Sequence, residues 1–132
     1  MNIRTLICTL AGVLAVILLL VLTPHHSFTP KGIALPAKTV RSPISPDQVT
    51  IYQEAPTDAF TRLGQVRVEL GFEQLGKETK IDLFQKVRAL AASLGANGVV
   101  LQLLVPNDGV RHTVTFIGMA IYMPQKSTRG AL

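Results

Sequence analysis

The sequence predicts an α+β domain: a small sheet of about four strands in β-β-α-β-β order, with one long amphipathic helix on one face. An N-terminal transmembrane helix and a proline-rich linker precede it. Three stretches carry this expectation. Residues 79–105 read as a helix, a glycine stop and an apolar strand; residues 63–70 alternate; residues 111–123 form a second long alternating run.

In the helix, Ile81, Phe84, Val87, Ala91 and Leu94 recur at helical spacing, and Leu83 and Leu90 widen the stripe. Lys80, Gln85, Lys86 and Arg88 take the other side. Thr79 with Asp82 three residues on reads as an N-terminal cap with an acid in the first turn. Gly95 stands where the helix should stop, since glycine adopts the left-handed conformation without steric cost. Asn97 and Gly98 complete the turn into Val99–Val105, whose apolar run reads as a central strand broken only by Gln102.

Domain organisation follows from composition shifts. Residues 1–22 begin with a short basic start at Arg4 and then carry no charge, which predicts an uncleaved signal anchor. Arg4 and the α-amino group sit closest to this run and place the N-terminus inside. The expected location is therefore a single-pass bacterial inner-membrane protein with its domain in the periplasm. Cys8 lies at the beginning of the apolar run rather than after it, the wrong place for lipidation. Residues 23–43 hold prolines at 24, 30, 36 and 43 and read as an extended spacer. The α/β domain spans 44–124, and 125–132 is a polar tail expected to be loose.

Within the domain, Val49–Tyr52 is a short strand, and Ala55–Asp58 a turn that opens one helical turn through Phe60. Gly64, Val66, Val68 and Leu70 face one way in the next strand, and Gln65, Arg67 and Glu69 the other. Pro106–Gly109 reads as a turn by its chemistry. The last strand splits into a face of Val114, Phe116, Gly118, Ala120 and Tyr122 and a face of Thr115, Ile117, Met119, Ile121 and Met123. The small residues Gly118 and Ala120 predict that the helix packs on the first face. One helix covers one side of a sheet, so Ile117, Met119 and Ile121 are the expected partner contacts. Lys80, Lys86 and Arg88 are second choices.

The chemistry-bearing residues form no constellation. A net charge of +5 with a pI near 9.8 comes from scattered lysines and arginines without interleaved aromatics, which argues against nucleic acid. The lone cysteine excludes an internal disulfide or thiolate metal site, and His25, His26 and His112 lack carboxylates at ligand spacing. Asp47, Glu54, Asp58, Glu69, Glu73, Glu78, Asp82, Asp108 and His112 fall in no catalytic motif. The expectation is a protein that is not an enzyme and carries no cofactor, metal or small-molecule substrate.

Three segments, 45–52, 63–66 and 91–100, resemble the soluble domain of RcsF-like envelope-stress sensors and, more distantly, YbjQ-like domains. The alanine-rich helix followed by Leu94-Gly95-Ala96-Asn97 and an apolar strand is the most specific part. The resemblance implies a small α/β domain that binds other envelope proteins and feeds signal transduction. The chain departs from that family in lacking the lipidation cysteine and the disulfide cysteines. The alternative is a self-assembling structural module of the envelope with no signalling role.

Overall fold

The computed structural model describes residues 2–22, 28–39, 41–124 and 130–132. The elements are α1 (Ile3–Leu22), β1 (Lys31–Pro36), a 3-10 turn (Pro46–Gln48), β2 (Thr50–Tyr52), β3 (Thr61–Gly71), α2 (Lys77–Ser93), β4 (Gly98–Asp108) and β5 (His112–Tyr122). His25 and His26 lie outside the described residues.

The sheet has five strands, not four, in the order β1-β3-β5-β4-β2. All neighbours are antiparallel except β2 and β4, which run parallel. The added strand is β1, which lies inside the segment expected to be a spacer. Its prolines mislead because Pro30 and Pro36 sit just before the strand and at its end, where an edge strand tolerates a missing donor. Between them Lys31-Gly32-Ile33-Ala34-Leu35 alternates and pairs with Glu69 through Gln65 of β3.

The membrane anchor is also corrected. No helix is long and apolar enough to cross a membrane among the described residues. The single-pass inner-membrane location, the periplasmic orientation and the signal-anchor assignment are withdrawn with it.

The core lies between α2 and one face of the sheet. Leu83, Phe84, Val87, Ala91 and Ala92 of α2 meet Val66, Val68 and Leu70 of β3, Val99 of β4, and Val114, Phe116 and Ala120 of β5. Gly118 faces the helix as well, and a Cβ there would lie 2.6 Å from Val99 Cγ1 and 2.7 Å from the Phe116 ring. Ile81 stays exposed at the start of the helix, and Leu90 and Leu94 are half-buried. The helix begins earlier than its capping pattern suggests. Gly76 is the N-cap, and the Thr79 hydroxyl donates back to the Gln74 carbonyl at 3.3 Å.

At its other end α2 closes in a Schellman motif. The Gly95 N–H donates to Ala92 and the Ala96 N–H to Ala91, with Gly95 at φ +76°. Residues 41–48 then pack across this end. The Ile44 N–H donates to the Ala92 carbonyl at 3.0 Å, and the Arg41 guanidinium lies 3.4 Å from the centroid of the Tyr122 ring.

Asn97 ties the helix exit to the end of β5. Its Nδ2 donates to the Met123 carbonyl at 2.6 Å, and its Oδ1 accepts from the Met123 N–H at 2.8 Å. Its own N–H donates to the Ile121 carbonyl, and its carbonyl accepts from the Thr50 N–H. Replacing Asn97 with alanine removes both side-chain bonds and strips the Met123 backbone of its partners. The expected cost is about 2 kcal/mol, read as a lower denaturation midpoint at an unchanged m-value. An unchanged midpoint would show that the clamp is idle.

Candidate functional site: the open face of the sheet

Residues paired across a ladder share a face. The face turned away from α2 can therefore be read row by row. One row runs Ile33, Arg67, Ile117 and Leu103, from β1 through β3 and β5 to β4. The next runs Leu35, Gln65, Met119 and Val100, with Tyr52 beyond. A third, more polar, holds Lys31, Glu69, Thr115 and Val105.

The predicted contacts Ile117 and Met119 sit half-buried in the middle of this face. Ile121 is fully buried, in a small cluster with Tyr52, Val100 and Met123. It is therefore packing rather than contact surface. The predicted structural residues Gly95, Asn97 and Gly98 gather at one end of the sheet, where Gly98 leaves room for the Tyr52 ring; a Cβ on Gly98 would stand 2.9 Å from Tyr52 Cε2. Lys80 and Lys86 lie on the helix side, remote from this face, as does half-buried Arg88.

The face also holds four exposed aliphatic residues that sequence reasoning places elsewhere. Ile33 and Leu35 are 51% and 49% exposed on β1, and Leu103 and Val105 are 48% and 42% exposed on β4. The sequence pattern alone puts the first two in a linker and the second two in a buried central strand. β4 is central only as far as Val100, because β2 is three residues long and leaves the rest of that edge uncovered. The signal for exposure is Pro106, a residue that demotes an apolar run to an edge. Gln102 decides which face the leucines take. The pairing shifts between Leu101 and Leu103, so Gln102 is a bulge, and Leu103 lands on the open face beside Ile117.

Polar groups elsewhere do not converge. All the carboxylates and His112 are exposed, and no group of three or more metal-ligating side chains occurs among the described residues. The ion pair described joins Asp108 to His112 at 3.4 Å, at the mouth of the β4–β5 hairpin. Both partners are exposed, so its contribution to stability is small. Burial pushes the Tyr52 hydroxyl pKa up from its ordinary value; the nearby Asp58 charge adds to this, and a hydrogen bond with Thr50 opposes it. Phe28 borders three open clefts: about 600 Å³ between the end of β3 and the start of α2, about 700 Å³ toward the β4–β5 hairpin, and about 430 Å³ along α2.

No family model matches the chain, and no curated protein matches it. Among solved structures, the chain is similar to the Francisella virulence factor FvfA in its orthorhombic crystal form. The two share 24% identity over 69% of this chain and 96% of that one, with a TM-score of 0.56. Likeness at that level concerns the fold.

Proposed function

We propose that this protein is a binding module rather than an enzyme, and that it docks a partner protein on the open face of its sheet. The observation that carries this is the set of apolar residues Ile33, Leu35, Ile117, Met119, Leu103 and Val105, drawn from β1, β5 and β4 on one face of the sheet. A half-exposed aliphatic band of that extent is unusual on a surface that faces only water. Arg67 and Gln65 cross it in the middle and supply polar contacts that fix the register of a partner. The resemblance of residues 45–52, 63–66 and 91–100 to RcsF-like domains supports an envelope protein as the partner and a sensing role for the complex.

The test is photo-crosslinking in the native host with a benzophenone side chain at position 119. The expected result is capture of one distinct envelope protein, lost when Ile33→Asp and Leu103→Asp are introduced together. Both residues are half-exposed, so the double variant should fold normally, as checked by circular dichroism. Capture of a second copy alone would favour the self-assembling module. Capture of nothing would overturn docking on this face.

A further inference from the structure

Charge on the open face is unevenly balanced. Lys31 and Glu69 stand opposite each other in the β1–β3 ladder and carry opposite signs. Arg67, the next residue of β3 on this face, stands between Ile33 of β1 and Ile117 of β5, with Leu103 of β4 beyond. It is exposed, and no carboxylate pairs with it among the described residues. The row beside it, Leu35, Gln65, Met119 and Val100, holds no charge. A guanidinium therefore sits amid the aliphatic side chains without a counter-charge from the described residues. Water solvates it while the face is free. Covering the side chains around it removes that water, and a charge left alone there costs binding. The occupant must bring the counter-charge. α1 does not, because Arg4 is its charged residue and it holds no carboxylate. A second copy stacked about a two-fold axis through this row does not either, because it sets Arg67 against Arg67.

We infer that the partner of the open face is a protein that seats an aspartate or glutamate carboxylate on Arg67, with aliphatic side chains around that carboxylate. This rests on docking at the open face and adds the chemistry of what docks. The guanidinium presents a planar fork of N–H donors that matches the two oxygens of a carboxylate. Ile33, Ile117 and Met119, with their counterparts on the partner, exclude water around the pair, the setting in which an interfacial arginine contributes most. The pair also fixes register. A partner displaced by one row places its carboxylate over Gln65 and Met119 and leaves Arg67 covered without a counter-charge.

The experiment uses the full chain with the benzophenone at position 119, in the native host, and compares charge variants. Arg67→Glu should lower the yield of the captured envelope protein about tenfold or more, the order expected for setting like charges together in a covered interface. Arg67→Lys should keep part of the yield, because a point charge still pairs but cannot fork. Lys80→Glu makes the same change of charge on the helix side and should leave the yield unchanged. The cross-linked peptide, identified by mass spectrometry, should hold or adjoin an aspartate or glutamate. Replacing that acid with arginine should restore capture by Arg67→Glu, which separates a lost pair from a misfolded variant. Undiminished capture by Arg67→Glu, with capture still lost in the Ile33→Asp, Leu103→Asp double variant, would overturn the carboxylate and leave docking on this face standing. Failure of every acid-to-arginine change near the cross-link to rescue Arg67→Glu would also overturn it. Capture of a second copy alone, or of nothing, would overturn both.

Discussion

Phe116→Ala is expected to lower stability by about 3–5 kcal/mol, the range for truncating a large buried aromatic. Phe116 is fully buried. It stands between Val68 of β3 and Leu104 of β4, and its ring meets Phe84 of α2 edge-on, 6.1 Å between centroids and 77° between planes. That aromatic pair is the point at which the helix is pinned to the middle strand, and its geometry adds to the loss of buried area. A domain of this size has only about 5–15 kcal/mol in total, so the variant should melt at least roughly 12 °C lower. Ile33→Ala is the control. Its side chain is half-exposed at the sheet edge, and its cost should stay within about 0.5–1 kcal/mol. Similar melting temperatures for the two variants would mean that α2 is not seated on β5 as described.

Gly95→Val is expected to cost about 2–5 kcal/mol. Two terms add. The residue sits at φ +76°, where any Cβ meets the adjacent carbonyl, worth ~1–2 kcal/mol. A Cβ there would also lie 2.5 Å from the Arg41 Cβ and 2.6 Å from the Ser42 carbonyl oxygen. Neither neighbour is the end of a flexible side chain, so residues 41–42 must move, an overpacking cost of ~1–3 kcal/mol. That movement gives the substitution a second signature. Arg41 should leave the Tyr122 ring, and the Tyr122 ring resonances should shift in NMR spectra. Loss of stability without a shift at Tyr122 would assign the whole effect to backbone strain.

Several features were legible in the residues because short-range physics sets them. The stripe Phe84, Val87 and Ala91 is a local property of one helix, and Gly95 is the residue that can end it in the left-handed conformation. The alternation of Val66, Val68 and Leu70, and of Val114, Phe116 and Ala120, reports a pleat with one dry side. Ile117 and Met119 fall on the open face by the same rule. The fifth strand was hidden because proline content outweighed a five-residue alternation, and only pairing to β3 makes Lys31–Pro36 a strand. The helix start was misplaced because Thr79 has cap chemistry, yet its hydroxyl turns back to Gln74.

The sequence by itself determined the helix, its glycine stop, the alternating strands and the absence of a catalytic motif. Periodicity and backbone conformational preference act over a few residues and need no knowledge of the rest of the chain. Tertiary structure alone decided strand order, the parallel pairing of β2 with β4, and the bulge at Gln102 that turns Leu103 outward. It also decided that Ile121 is covered while Leu103 is not. Burial at these positions depends on which strand ends first beside them and on where Tyr52 packs, and both are contacts between residues far apart in sequence.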